Sequence, residues 1–339
     1  MSIADRVVTA WYTPGLTPLA MLLWPLSIAY GCVVAVRRWL FRVGVLRSQR
    51  LAVPVVVVGN LTVGGAGKTP LTCALGEALA ARGFRPGIVS RGYGGSEHGE
   101  RAVTTGDDPR VVGDEPLILA ATGFPVWIGR DRVAAARGLL AAQPACDVLV
   151  SDDGLQHYRL ARSVEIAVID AARGFGNGLL LPAGPLREPA SRLAEVNAVV
   201  RLVARDAPRA TARDGRETVM THAPLPWRNL KDSARVADVA VWRAGAVHAL
   251  AGIADPQRFF AMVRSLGIAA IEHPFPDHHA FRAGDLAFPE AAAILMTQKD
   301  AVKCADLADD RCWYLPLKAE LDPALVALVE DRIRGSQTA

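Results

Sequence analysis

Gly59-Asn60-Leu61-Thr62-Val63-Gly64-Gly65-Ala66-Gly67-Lys68-Thr69 decides the fold of this chain. It follows the β-branched run VPVVVV at 53–58 and leads into a helical stretch at 70–82. Strand, glycine turn, Lys-Thr and helix in that order make a P-loop, whose backbone N–H groups surround phosphate oxygens at a helix N-terminus. Thr62, Val63, Gly64, Gly65, Ala66, Gly67, Lys68 and Thr69 therefore form the candidate nucleotide cradle. Lys68 is placed for the β- and γ-phosphates and the Thr69 hydroxyl for Mg²⁺. Thr62 replaces the first glycine of GxxxxGK[ST], while the remaining GGxGKT keeps the tight turn. The chain holds only five lysines, so one at this position is not incidental. The bland alternative is an ordinary glycine-rich strand–helix turn.

Outward from this stretch, short apolar runs at 86–90, 126–128, 148–151, 166–170 and 198–203 alternate with Ala-, Leu- and Arg-rich helical segments. Such alternation predicts an α/β fold with a mostly parallel sheet, P-loop NTPase-like in its order. The strand at 148–151 ends in Asp152-Asp153, the pattern of a Walker B carboxylate that fixes Mg²⁺. Val112-Gly113-Asp114-Glu115-Pro116 opens a helix. Its acids either cap that helix or supply a base that takes the proton of an attacking hydroxyl; the pattern leaves both open. Phe275-Pro276-Asp277-His278-His279 suggests a histidine that tunes a catalytic carboxylate rather than a metal site, with a surface loop as the alternative. Loops at 90–95 and 174–189 lie at strand ends, where open α/β sheets bind ligands. Arg91, Asn177 and Arg187 are their candidate substrate contacts, the arginines for phosphate. The TQKD loop at 297–300 offers Asp300 as a reader of a purine base.

The 339 residues are 51% hydrophobic and 21% charged, which excludes a disordered or fibrous chain. A net charge of +4 does not argue for nucleic acid. Five scattered cysteines without a CxxC pair exclude a disulfide framework and a zinc cluster. The mean hydropathy of +0.21 is high, partly because no charge occurs between Arg6 and Arg37. Pro25, Ser27 and Gly31 interrupt this stretch, Trp24, Tyr30 and Trp39 lie along it, and Arg37, Arg38, Arg42, Arg47 and Arg50 follow. It reads as an interfacial helix, a membrane span or a buried core helix; the arginines favour the first two. Deleting residues 1–36 is expected to weaken membrane recovery and spare the nucleotide site. The predicted organisation is a membrane-associating helix and basic segment at 1–50, a P-loop core at 51–204, a hinge at 205–240 and a smaller α/β domain at 241–339.

Together GNLTVGGAGKTP, SRGYGG, VGDEP, SDDGLQH, GNGLLLPAGPLREP, FPDHH and MTQKDAVKC make the chain resemble the tetraacyldisaccharide 4′-kinase family of lipid A biosynthesis. The resemblance implies transfer of the ATP γ-phosphoryl, with Mg²⁺, to the 4′-hydroxyl of a tetraacylated disaccharide 1-phosphate. It implies work at the cytoplasmic face of the inner membrane, held there as a peripheral protein or by one N-terminal anchor. It also implies Asp114 as base with His278 as its partner, Lys68 on the phosphates, Thr69, Asp152 and Asp153 for the metal, and Glu115 for metal or water. Another P-loop kinase or GTPase, or a membrane-tethered ATPase of transport or assembly, is the alternative.

Overall fold

A computed structural model describes residues 3–205, 216–242 and 245–337. The chain opens with α1 (Ile3–Tyr12) and α2 (Pro18–Arg42). There follow β1 (Val55–Gly59), α3 (Lys68–Ala80), β2 (Pro86–Ser90), β3 (Arg101–Val103), α4 (Pro109–Val112), α5 (Asp114–Ala120), β4 (Val126–Ile128), α6 (Arg132–Ala142), β5 (Val148–Asp152), β6 (Val164–Asp170), β7 (Ala198–Leu202) and β8 (Glu217–Pro224). A second group comprises β9 (Trp227–Asn229), β10 (Val236–Ala237), β11 (Ala246–Ala251), α7 (Pro256–Ser265), β12 (Ala270–Pro274), β13 (Ala291–Thr297), α8 (Gln298–Cys304) and β14 (Cys312–Leu315), and the chain closes with β15 (Leu317–Leu321) and α9 (Pro323–Gln337).

The first sheet has nine strands in the order β15-β8-β7-β6-β1-β5-β2-β4-β3. Its seven inner strands run parallel, and β15 and β3 close the edges antiparallel. The valines of β1 show why this sheet is buried on both faces. Val56 and Val58 pack with Leu71, Leu75 and Leu79 of α3, whereas Val55 and Val57 pack with Val133 and Leu139 of α6. Each face of alternating side chains thus meets its own helix. The second sheet has six strands, β10-β9-β14-β13-β11-β12, with α7 packed on one face through Phe259, Phe260 and Val263. The architecture is α/β with two lobes and an N-terminal apolar helix.

Two boundaries differ from those drawn on composition. The polar stretch 205–240, read as a hinge, contributes β8 to the large sheet and β9 and β10 to the small one; residues 206–215 lie outside the described residues. The segment 241–339 gives its last two elements back to the large lobe. The open edge of β8 presents unpaired backbone groups, and β15 fills it, with Ala319 opposite His222. Leu325, Val329 and Ile333 of α9 then join the core beneath α3. The lobes are joined by two adjacent crossovers, β8 to β9 and β14 to β15, where Leu225 N–H donates to the Pro316 carbonyl at 3.0 Å.

Helix α2 is long and apolar enough to cross a membrane by length and composition, and only 11% of its apolar window is buried. The reading as a core helix is therefore corrected. One stripe touches the body. Ser27 Oγ donates to the Leu180 carbonyl at 2.8 Å and accepts from Ala183 N–H at 2.9 Å. Tyr30 donates to the Arg187 carbonyl at 3.0 Å, and Arg38 binds both Glu195 oxygens. The other face exposes Leu22, Leu26, Ile28, Val33, Val36 and Trp39.

Candidate active site

Gly67, with φ +84°, caps α3 in the left-handed region that a side chain would strain. This turn presents Lys68 and Thr69 beside the end of β5. Lys68 Nζ donates to Asn60 Oδ1 at 3.1 Å and stands 3.6 Å from Asp153. Asp152 is buried; its two oxygens accept from the hydroxyls of Thr69 at 3.2 Å and Thr72 at 2.9 Å. Burial, together with the charge of Asp153, raises the Asp152 pKa. Asp153 sits at φ +51°, a conformation Asp tolerates better than most residues. Both its oxygens lie 3.1 Å from Arg187 Nη1. Burial alone would raise its pKa, but Lys68 and Arg187 hold it down at about 2.

Asp114 occupies the first position of α5 and is 4% exposed. Gly113 before it has φ +89°, and a Cβ there would come within 2.4 Å of the Tyr93 carbonyl. The VGDEP and SRGYGG loops therefore pack backbone to backbone. His278 and Lys299 reach the acids of α5 from the small lobe. His278 Nδ1 lies 3.2 Å from Asp114 Oδ2, and its Nε2 is 3.2 Å from Lys299 Nζ. Lys299 stands 2.8 Å from Glu115, 3.4 Å from Asp277 and 3.7 Å from Asp114. Burial would raise the Asp114 pKa, yet the adjoining His278 imidazole and the Lys299 charge carry it well below the usual carboxylate range. Glu115 goes the other way, to about 7, because burial outweighs the pull of Lys299 and the charge of Asp114 adds to it. The Asp114 carboxylate at 3.2 Å raises the His278 pKa.

A cleft of about 1180 Å³ connects the two groups; Lys68, Thr69, Asp153, Arg187, Arg91 and Tyr93 line it, and so do Glu115, His278 and Lys299. His278 stands in the cleft wall with Asp114 behind it. Its neighbour His279 turns away to Asp285 at 3.0 Å and packs between Phe275 and Phe281. The sequence motif held both histidines; the left-handed φ of +58° at His278 separates them.

Other expectations fall elsewhere. Asn177 is not brought to the cleft: its amide donates to the Ala183 carbonyl at 2.8 Å and accepts from Leu179 N–H at 3.1 Å, which fixes its own loop. Asp300 reads no base, since it is fully buried and bonded to Thr297, Gly252 N–H and Lys303. Lys299, one residue earlier, was missed; its signal was a lysine just beyond a strand end in an arginine-rich chain. Asn60 and Thr72 also escaped notice.

The donor set at the head of the P-loop fits Mg²⁺. Thr69, Asp152 and Asp153 supply only hard oxygens beside a phosphate cradle. Asp114, Glu115 and His278 also have ligand atoms within 4.8 Å of one another. There, however, the Lys299 ammonium already supplies the positive charge, so Glu115 pairs with Lys299 rather than with the metal set.

A P-loop, a Walker B strand end and a carboxylate–imidazole pair across one cleft define a phosphotransferase. A family model described as tetraacyldisaccharide-1-P 4′-kinase matches residues 19–334. The chain is 48% identical over 335 residues to the tetraacyldisaccharide 4′-kinase of Azoarcus sp. (strain BH72), covering 96% of this chain and 94% of that one. It is 53% identical over 307 residues to the protein of that name from Alkalilimnicola ehrlichii, covering 88% of each. A crystal structure of LpxK from Aquifex aeolicus in complex with ATP superposes with a TM-score of 0.80 at 28% identity, covering 93% of this chain and 99% of that one. The chain belongs to the tetraacyldisaccharide-1-P 4′-kinase family and is a kinase. The GTPase and transport-ATPase readings are set aside.

Proposed function

We propose that the chain transfers the γ-phosphoryl of ATP to the 4′-hydroxyl of a tetraacylated disaccharide 1-phosphate at the cytoplasmic face of the inner membrane. The observation that carries this is the placing of Asp114–His278 and Lys68–Thr69 on one cleft whose wall residue Arg187 is bonded to the apolar helix α2. Lys68 and the N–H groups of the turn bind the phosphates of ATP. Thr69, Asp152 and Asp153 would hold Mg²⁺, which would supply charge neutralisation on the phosphate oxygens. Arg187 holds Asp153 in place, and Arg91 faces the cleft as a second phosphate contact. The 4′-O–H bond breaks as O–P forms, the bond from the γ-phosphorus to the bridging oxygen breaks, and ADP leaves. The hydroxyl proton passes into the Asp114–His278 pair, with the imidazole at the cleft and the carboxylate orienting it. Bending at the crossovers near Leu225 and Pro316 lets the lobes close and exclude water.

A tetraacyl substrate leaves a bilayer at about 0.8 kcal/mol for each CH₂ brought into water, so the enzyme must come to it. Helix α2 is bound to the body from Ser27 to Arg38, with Ala20 also buried. That stripe spans roughly 27 Å at 1.5 Å per residue, close to the ~30 Å of a hydrocarbon core. A helix attached to a polar lobe over that length lies in the interface rather than across it. The test incubates protein, labelled ATP and detergent-solubilised disaccharide 1-phosphate. Label on the lipid is expected; hydrolysis without labelled lipid overturns the proposal.

A further inference from the structure

Helix α2 does more than present apolar surface. Its buried stripe holds the segment that backs the nucleotide loop. Ser27, 3% exposed, uses both capacities of its hydroxyl on residues 180 and 183. Tyr30 takes the carbonyl of Arg187. Gly31 passes so close that a Cβ would stand 2.9 Å from Leu180 Cδ1. Helix α1 grips the same loop: Trp11 Nε1 donates to the Pro182 carbonyl at 2.8 Å, and Asn177 N–H donates to the Trp11 carbonyl at 2.7 Å.

On its other side this segment is bonded to the P-loop. Val63 N–H donates to the Pro185 carbonyl at 2.8 Å, and Arg187 N–H donates to the Leu61 carbonyl at 2.6 Å. Leu186 bridges Thr62 between them. From the same residue the Arg187 side chain reaches Asp153, which pairs with Lys68. The lipid-facing helix and the phosphate loop are thus two sides of one hydrogen-bonded strip.

We infer that Ser27 and Tyr30 are positioning residues for ATP, acting through the 180–187 segment on the P-loop and on Arg187, so that α2 is part of the nucleotide site's framework and not a separable anchor. A glycine-rich loop has little internal stiffness, so its phosphate-binding shape depends on what backs it. The kinetic half of the test rests on the phosphotransfer reading; the binding half does not.

Full-length wild type, Ser27→Ala and Tyr30→Phe are titrated with Mg-ATP by calorimetry without acceptor lipid. They are also sedimented with vesicles of phosphatidylethanolamine and phosphatidylglycerol. Each variant removes hydroxyl bonds but leaves the lipid face intact. Both are expected to bind vesicles like wild type while ATP affinity falls about five- to tenfold, with the KM for ATP rising in step and the KM for the lipid acceptor unchanged. Wild-type ATP affinity in both variants overturns the inference. So does a reduced binding stoichiometry at unchanged affinity, which marks lost folded protein only. Should Ser27→Ala fail to fold, Tyr30→Phe, which leaves one backbone carbonyl without its donor, decides alone. Wild type that binds ATP but labels no lipid refutes the proposed function and leaves this inference to the titration.

Discussion

Replacing Lys299 by Met probes the electrostatics of the catalytic cluster with the side-chain stem kept. Lys299 Nζ lies 3.7 Å from Asp114 Oδ2 and 2.8 Å from Glu115 Oε1. At an effective dielectric of 20, the longer separation corresponds to roughly 4.5 kcal/mol, about three pH units of bias toward the ionised acid. The side chain is 20% exposed, and water entering the emptied position offsets part of that bias, leaving about one to two units. Without the ammonium both carboxylates bind protons more tightly. The sign is fixed: a group that needs to be ionised reaches that state at higher pH, so the acid limb of kcat/KM moves to higher pH. The Lys299 charge also pulls the His278 imidazole toward its neutral, proton-accepting form; without it His278 stays protonated to higher pH, and activity at pH 7 is expected to fall roughly ten- to a hundredfold. Raising the pH toward 9 recovers part of it. The assay follows transfer of label from ATP to lipid in mixed micelles between pH 6 and 9, with ATP affinity measured alongside. That affinity stays near wild type because Lys68 and Thr69 are untouched. A profile that falls equally at every pH, with its acid limb where wild type has it, would refute the electrostatic reasoning.

Lys68→Ala is expected to lower kcat about a thousandfold or more; transfer within tenfold of wild type in the same assay removes it from the phosphate site. Asp114→Asn keeps the shape of the pair but not its charge, so kcat falls roughly 10²- to 10⁴-fold with ATP affinity nearly intact, and wild-type turnover defeats its assignment to the proton. His279→Ala breaks the bond to Asp285 and the packing on Phe275 and Phe281. It is expected to destabilise by about 1–2 kcal/mol in denaturant unfolding with kcat unchanged, whereas a loss of turnover at constant stability makes it catalytic. Arg258→Ala removes the ion pair with Asp170 that joins the lobes at 2.6 Å; kcat is expected to drop and the acid limb to move upward, and an unmoved limb counts against the coupling of lobe contact to the Asp114 charge.

The inner strands of the large sheet were legible because burial on both faces demands unbroken β-branched runs, of which Val55–Gly59 is the plainest. Strands β8 and β15 were not. ETVMTHAP and LKAEL are half-buried, and their pairing joins residues nearly a hundred positions apart, a distance at which local pattern carries no information. For the same reason the return of α9 to the large lobe was invisible. The P-loop and Walker B acids announced themselves because their chemistry is local to one turn and one strand end. The pairing of Asp114 with His278 came only through family resemblance, since it is made across two lobes. Asn177 was misread because a glycine-rich loop near a strand end looks the same whether it binds a ligand or braces itself.

Division of the cluster between lobes has a chemical consequence. Asp114 belongs to the large lobe, and the two groups that hold its carboxyl down, His278 and Lys299, belong to the small one. Separated lobes would leave Asp114 without the imidazole at 3.2 Å and without the ammonium at 3.7 Å that favour its ionised form. On the proposed mechanism the proton acceptor would therefore be assembled by lobe contact rather than carried ready-made beside the phosphates. The crossovers at Leu225 and Pro316 and the Arg258–Asp170 pair are links between the two lobes. On the proposed mechanism, separated lobes would withdraw His278, the group that faces the cleft, so a water beside the γ-phosphate would meet no imidazole to take its proton. Coupling the proposed base to lobe contact in this way would restrain hydrolysis of ATP until an acceptor occupies the cleft.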